Sequence, residues 1–224
     1  MQSSRYIIYC CTGTGGLFLM SLFAKLMDIP VQPTFSNTGN CHDLGHGNWK
    51  GAPGVVFLGD YWDLNYQPGA RLYYSHQLDP DFRQQNPDVK FVGITVLPED
   101  YPLITRLLVK KAWPDKWTPV EYNKWVGPDY PAYSCNNIAE SDIICNDLIA
   151  DLLVTLINPW FENNKNVAYD YTINFRTIMG LDSLVLDQCV SNIVGSPLTV
   201  ELHKLVQTYQ QLNQQLYFKS IIPQ

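Results

Sequence analysis

The feature that most constrains the fold lies near the start of the sequence, where an apolar strand pattern runs through a glycine turn into an apolar helix pattern. Residues 5–11 are apolar, β-branched and aromatic, which predicts a buried strand. Residues 17–27 place Leu19, Leu22 and Phe23 on one face, which predicts an amphipathic helix. The segment between them reads Thr12-Gly13-Thr14-Gly15-Gly16. A strand, a tight turn and a helix in this order are typical of the first unit of an α/β domain.

The glycine turn is also the candidate ligand site. The first N–H groups of a helix lack intrahelical acceptors and carry partial positive charge, and glycine lets an anion approach them. The turn lacks the lysine of the ATPase phosphate loop, and Phe18 stands where the dinucleotide-binding pattern has its third glycine. We expect an anion cradle formed by the backbone from Gly13 to Gly16, with hydroxyl donors from Thr12 and Thr14. The alternative is a turn that needs glycine for its shape alone.

The rest of the chain alternates strand and helix patterns. Further strands are predicted at 54–58, 72–75, 89–95 and 168–175. Helices are predicted at 98–111 and 137–157, then from an Asp182 cap to about Gly195, and from Ser196-Pro197 onward. This alternation predicts a single α/β domain over residues 1–224, with a three-layer parallel sheet flanked by helices and a helical C-terminal part at 137–224.

Composition and charge narrow the classes of partner. Acidic residues outnumber basic ones, for a net charge of −6, which argues against a surface that binds duplex nucleic acid. Cys10 and Cys11 are adjacent within an apolar run, and a chain of this length needs no disulfides, so we expect reduced thiols and a cytoplasmic protein. Residues 6–27 have a membrane-span or signal-peptide alternative, but glycines interrupt the run and Lys25 lies near its end. We therefore expect no membrane association.

Three short motifs, taken in order, resemble those of the P-loop sulfotransferases, which use the donor 3′-phosphoadenosine 5′-phosphosulfate. The segment 12–14 resembles the loop that holds the 5′-phosphosulfate. His76, directly after a predicted strand, matches the catalytic base, while Pro98 and Asp100 match the motif that holds the 3′-phosphate. Thr105 lies one residue beyond the position of the family's serine. The resemblance implies a P-loop-type sheet, a donor held by residues 12–16 and Thr105, and sulfuryl transfer to an acceptor hydroxyl or amine.

The sequence departs from that family where cations are expected. Cys11 replaces the cationic loop residue, Val96 replaces the arginine for the 3′-phosphate, and Glu99 replaces a basic residue. Ile104 stands at the position of the serine itself. Each lost cation removes a charge-assisted hydrogen bond, worth about 1.5–3 kcal/mol. A non-catalytic module that keeps the fold is therefore the alternative function, whereas a nucleotide kinase is disfavoured by the absent loop lysine.

Three further features have simpler explanations. The cluster Cys41-His42-Asp43 with His46 contains zinc ligand types, but glycines at 45 and 47 disfavour a helix that would bring them together, so we expect no metal. The aromatic, Pro-rich segment 112–136 either stacks a planar acceptor or packs on itself. The last helix has leucines at heptad spacing, which indicates core packing first and a homodimer contact second.

Overall fold

The computed structural model of the chain describes residues 4–11, 13–29, 35, 55–57, 70–76, 81–112 and 167–218. The chain divides into two compact units. The first unit comprises Met1–Val96 with Asn166–Gln224, and the second comprises Leu97–Lys165. Each unit is described by itself below.

The first unit is built on a parallel sheet of five strands in the order β2-β3-β1-β4-β5. The strands are β1 (Arg5–Tyr9), β2 (Val55–Phe57), β3 (Leu72–Ser75), β4 (Val89–Thr95) and β5 (Tyr171–Asn174). Each neighbouring pair is parallel. The parallel α/β architecture predicted from the alternation of patterns is therefore confirmed, and all the carboxyl ends of the strands meet at one edge.

The described residues also form six helices. They are α1 (Gly16–Leu26), α2 (Phe82–Gln85), α3 (Tyr101–Ala112), α4 (Phe175–Met179), α5 (Leu186–Val194) and α6 (Val200–Asn213). A 3₁₀ turn at Pro98–Asp100 precedes α3, and one π-helical turn at Gln214–Phe218 follows α6. Among these elements, the 3₁₀ turn and α3 belong to the second unit.

One face of the sheet is closed by aromatic and aliphatic side chains. Ile7 of β1 pairs with Tyr73 of β3 on one side and with Phe91 of β4 on the other. Their buried side chains form one cluster with Phe82 of α2. Tyr169 packs against this cluster, and its ring takes the space above Gly93, where a Cβ would lie 2.5 Å from the ring. Burial raises the pKa of the Tyr169 phenol far above its ordinary value, so this face is closed by an uncharged ring.

The other face of the sheet carries α1. Tyr6 of β1 meets Phe23 of α1 edge to face, with 5.4 Å between the ring centroids. All residues of α1 from Gly16 to Ala24 are buried, and α5 and α6 both contact this helix. The Tyr6 hydroxyl donates to the Ile193 carbonyl of α5, and the Tyr209 ring of α6 stacks on Phe18 at 3.7 Å. Helix α1 is therefore a core helix.

After β5, the structure contains a short helix that was not predicted, and the next helix has a different N-cap from the predicted one. The predicted strand 168–175 ends at Asn174, whose side chain accepts a hydrogen bond from the Arg176 N–H and so begins α4. Helix α5 has Val185 as its N-cap, because the Asp182 carboxylate instead accepts from the Thr177 hydroxyl and the Leu184 N–H.

Helix α6 begins later than the pattern predicted. Thr199 caps it by accepting from the Leu202 N–H, so Ser196-Pro197 lies before the helix rather than in its first turn. Of its heptad positions, Leu202 and Tyr209 are buried in the first unit, as core packing requires, while Leu216 in the following turn is 44% exposed. The homodimer contact stays a prediction.

In the second unit, the predicted helix 98–111 is a 3₁₀ turn followed by α3. Leu97 precedes the turn in an extended conformation, and its carbonyl accepts from the Asp100 N–H. Pro102 in the first turn of α3 has no N–H to donate, which suits the start of a helix. The aromatic segment from residue 113 to 136, the predicted helix 137–157 and the cluster at 41–46 lie outside the described residues.

The structure bears on two predictions: the membrane-span alternative for residues 6–27 and the state of the cysteine thiols. Residues 6–27 form β1, the turn and α1 of a sheet-based unit, and in the described ranges no helix combines the length and the apolar character needed to cross a membrane. Cys10, Cys11 and Cys189 are not part of a disulfide bond. Burial raises the pKa of the Cys189 thiol, which keeps it in the less reactive protonated form.

Candidate functional site

The candidate site lies where β1 ends and the chain turns into α1. Gly13 and Gly15 both adopt left-handed backbone conformations, with φ of 86° and 83°. Residues with a Cβ are strained in the left-handed region, so glycine is the residue that allows the turn. Gly15 is the N-cap of α1, and no side chain caps the helix there. The turn therefore delivers the start of α1 to the carboxyl edge of the sheet.

Close packing explains two of the glycines without a ligand. A Cβ on Gly16 would lie 2.1 Å from Cys10 Sγ and 3.0 Å from the Tyr74 ring. A Cβ on Gly15 would lie 2.8 Å from Ile178 of α4 and 3.3 Å from the Tyr209 hydroxyl of α6. The start of α1 is thus held tightly between the strands below it and two helices that come from the end of the chain.

Thr14 does not direct its hydroxyl outward. The side chain is fully buried, and its hydroxyl donates to the Cys11 carbonyl at 2.6 Å. The Thr14 N–H points to the same carbonyl at 3.4 Å. The expected contribution of Thr14 to an anion cradle is therefore replaced by a bond that closes the turn. What the turn retains for an anion is the first turn of α1, whose N–H groups have no intrahelical acceptors.

His76 follows β3 and lies beside the end of β1, because these two strands are parallel neighbours whose carboxyl ends coincide. Its Nδ1 is 2.7 Å from the Cys10 carbonyl oxygen, and its Nε2 is 3.3 Å from the Tyr74 hydroxyl. The ring is half-buried. The structure thus brings His76 and the residues that enter the glycine turn together: Nδ1 contacts the residue that follows β1, and Nε2 contacts β3.

The remaining predicted site residues have different outcomes. Thr12 lies outside the described residues. Thr105 lies in the second unit, where its buried hydroxyl donates to the Pro102 carbonyl of its own helix at 2.9 Å. Among the described residues, no group of three or more His, Cys, Asp or Glu side chains could hold a metal ion.

Sequence reasoning missed Tyr74 and Cys10 as neighbours of His76. The Cys10 thiol donates to the Tyr74 hydroxyl at 3.4 Å and lies 3.9 Å from His76 Nδ1. The signal for Tyr74 was present, because side chains two residues apart on a strand share a face and Tyr74 precedes His76 by two. The signal for Cys10 was weaker, since it depended on which strand lies next to β3.

No protein-family model matches this sequence, and no curated protein or solved structure is significantly similar to it. The fold and the site therefore define the class on their own. The first unit is a parallel α/β sheet in which the central strand β1 leads through a glycine turn into a buried helix. A histidine from the neighbouring strand borders that turn.

Proposed function

We propose that this chain is a sulfotransferase-like protein that holds the 5′-phosphosulfate of 3′-phosphoadenosine 5′-phosphosulfate at the glycine turn. The observation that carries the proposal is the meeting of this turn with His76 at the carboxyl edge of a parallel sheet, 2.7 Å from His76 Nδ1 to the Cys10 carbonyl. In open α/β sheets, ligands bind in the crevice outside the carboxyl ends of the strands. The P-loop type of the fold and the class of donor are proposed from the order of the three sequence motifs, which resembles that of the P-loop sulfotransferases.

The start of α1 supplies the attraction for an anion. The macrodipole of a helix places about half an elementary charge at its N-terminus, where a phosphate group is stabilised by N–H groups. The first turn of α1 contains no acidic residue and no side-chain cap that would compete with a ligand. Because Cys11 stands where a sulfotransferase has its cationic loop residue, we expect donor binding weaker by about 1.5–3 kcal/mol than in a site with that cation.

The proposed reaction is an in-line sulfuryl transfer. The bond between sulfur and the bridging phosphate oxygen breaks, and a bond from sulfur to the acceptor oxygen or nitrogen forms. His76 Nε2 takes the proton of the acceptor, and 3′,5′-adenosine bisphosphate leaves with the electron pair of the broken bond. The N–H groups at the start of α1 stabilise the charge that develops on the leaving phosphate.

A second candidate function is a non-catalytic binding or structural module. Two observations favour it: the Thr14 hydroxyl is bonded to its own backbone, and Gly15 and Gly16 are both required by packing. In this candidate the glycine turn has been retained because the core needs it, and the donor site has been lost.

A thermal-shift titration with 3′,5′-adenosine bisphosphate separates the two candidates, with adenosine as the matched control that lacks both phosphates. At ten times the dissociation constant, the bisphosphate is expected to stabilise the protein by about 1.4 kcal/mol, which raises Tm by about 3–6 °C. Adenosine is expected to leave Tm unchanged. The absence of any shift at millimolar bisphosphate would overturn donor binding and support the non-catalytic module.

The catalytic part of the proposal has its own measurement. Release of 3′,5′-adenosine bisphosphate from 3′-phosphoadenosine 5′-phosphosulfate can be followed chromatographically across a panel of hydroxyl and amine acceptors. We expect His76→Gln to retain the thermal shift with the bisphosphate and to lose acceptor-dependent release by 10²-fold or more, the typical contribution of a general base. Equal acceptor-dependent release of 3′,5′-adenosine bisphosphate by the wild type and His76→Gln would show that His76 is not the base.

A further inference from the structure

The polar contacts around His76 determine which ring nitrogen carries the proton. A carbonyl oxygen can only accept a hydrogen bond, so the 2.7 Å contact with the Cys10 carbonyl requires a proton on Nδ1. In a neutral imidazole, Nε2 is then the acceptor. The Tyr74 hydroxyl, 3.3 Å away, can donate to it, and the Cys10 thiol donates in turn to the Tyr74 oxygen at 3.4 Å. These three hydrogen bonds are consistent with one another when Nδ1 carries the proton.

The groups that hold His76 are fixed by burial. Cys10 is 0% exposed and Tyr74 is 2% exposed. The Tyr74 ring meets the imidazole at an interplanar angle of 78°, with 5.1 Å between centroids. The same ring contacts the site of Gly16, so its position is also set by the start of α1. The oxygen of a ring held in this way keeps one position, because the ring has little room to turn.

We propose that Tyr74 is a positioning residue of His76: its hydroxyl donates to an unprotonated Nε2 and orients the imidazole, while the Cys10 carbonyl keeps the proton on Nδ1. The proposal rests on the proposed role of His76 as the base, since Nε2 is the nitrogen that would take the proton of the acceptor. An acceptor hydroxyl that reaches Nε2 replaces the Tyr74 hydroxyl there. The Nδ1–H bond to the Cys10 carbonyl then stabilises the imidazolium that forms.

Long-range ¹H–¹⁵N NMR spectra of the histidine side chains test the proposal on the full chain without any ligand. The signals of His76 are identified by their loss in His76→Gln. We expect the wild-type protein to show the Nδ1–H tautomer at neutral pH. In Tyr74→Phe, the Nε2 resonance is expected to shift because a hydrogen bond to that nitrogen is lost.

Tyr73→Phe is the matched control. Tyr73 lies on the same strand and is equally buried, but its hydroxyl accepts from Arg5 at 2.5 Å. The Tyr73 variant loses the same atom and is expected to leave the His76 resonances in place. The Nε2–H tautomer in the wild-type protein, or identical His76 spectra in the wild type and Tyr74→Phe, would overturn the proposal.

This test stands apart from the test of the proposed function. If 3′,5′-adenosine bisphosphate gives no thermal shift, the proposal of donor binding is overturned, but the tautomer of His76 that the spectra report is unaffected. If Tyr74→Phe does not fold, the wild-type spectrum alone decides whether Nδ1 carries the proton.

Discussion

Two separate constraints require glycine at position 15: a left-handed backbone conformation and the lack of space for a Cβ. Its φ of 83° lies in the left-handed region, and a Cβ there would collide with Ile178 at 2.8 Å. Gly195 offers a comparison, because its φ is 79° and nothing lies within 4 Å of its Cβ position. The two glycines therefore share the backbone condition and differ in the packing condition.

We predict that Gly195→Ala lowers the free energy of unfolding by about 1–2 kcal/mol, the cost of a left-handed residue with a Cβ. Gly15→Ala is expected to cost about 1–3 kcal/mol more, because an extra methyl group must also displace α4 or α6. Urea denaturation of both variants provides the measurement. Equal losses would show that the helices do not press on the glycine turn.

The sequence predicted that residues 13–16 are special but could not reveal why. Glycine in a turn after a strand indicates either an approaching ligand or an approaching part of the chain. Ile178 and Tyr209, which approach Gly15, are far away in the sequence, and no local pattern links them to the turn. The same limit applies to Thr14, because a hydroxyl near a helix start predicts an outward donor and an inward bond equally well.

At the scale of elements, Arg5 joins β1 to its two neighbours. Its guanidinium donates to the Ala70 carbonyl before β3, to the Tyr73 hydroxyl of β3 and to the carboxylate of Asp88 just before β4. The hydrogen bonds from Arg5 hold the pKa of Asp88 below its usual range. A lowered pKa means that the ionised carboxylate favours the folded state.

We predict that Asp88→Asn lowers the free energy of unfolding at pH 7. A carboxyl with a lowered folded-state pKa contributes its stability above the ordinary value, and the contribution is lost as pH falls through the lowered value. The difference between Asp88→Asn and the wild type is therefore expected to narrow as pH falls below about 4, the ordinary pKa of an aspartate. Urea denaturation at a series of pH values measures it.

Asp28→Asn is the control for that experiment. Asp28 is exposed at the end of α1, and within the described ranges it has no ion pair, while asparagine tolerates its positive φ of 56°. We expect its stability to follow that of the wild type at each pH. If the difference in the free energy of unfolding between the wild type and Asp88→Asn does not change with pH, the ionised carboxylate does not have the stabilising role proposed here.

The elements themselves were largely predictable, and the errors have physical causes. β3 and β4 were predicted with the bounds they have, because continuous apolar runs between turn residues mark buried strands. Helix α4 was missed because five residues provide too little periodicity, and only Asn174 as an N-cap could have indicated it. The last helix was predicted to begin at Ser196-Pro197, and the structure instead caps it with Thr199.

At the scale of the whole molecule, the order of the strands determines where stability is concentrated. β1 is hydrogen-bonded on both sides, to β3 and to β4, and Ile7 and Ile8 are 0% exposed. β2 and β5 are each paired on one side in the described sheet. The centre of the sheet thus opens only when the first unit loses most of its contacts.

We predict that the backbone amides of β1 and β4 exchange with solvent more slowly than those of β2 and β5. Local opening of a strand at the end of a sheet requires less free energy than opening of a central strand. Native-state hydrogen exchange followed by NMR compares all the strands in one sample. Slower exchange in β2 than in β1 would contradict the observed strand order.

The fold class could be predicted from the sequence, but the strand order could not. Alternating strand and helix patterns are enough to indicate a parallel α/β sheet. The order β2-β3-β1-β4-β5 places His76 beside Cys10, and that adjacency is a property of the sheet rather than of any segment. This is why the contact of His76 with Cys10 could not be predicted, whereas Tyr74, two residues before His76 on the same strand, could have been recognised as its neighbour.

The cover over Gly15 also has a consequence for biosynthesis. The residues that approach it, Ile178, Met179 and Tyr209, leave the ribosome long after β1 and α1 have been made. Until then, Phe18 of α1 lacks the Tyr209 ring that stacks on it in the folded protein, and chaperones that recognise exposed apolar side chains have time to bind the helix. A ribosome stalled before residue 175 would hold a polypeptide in which Phe18 has Phe35 as a neighbour but lacks Tyr209, and in which α4 has not yet formed beside Gly15.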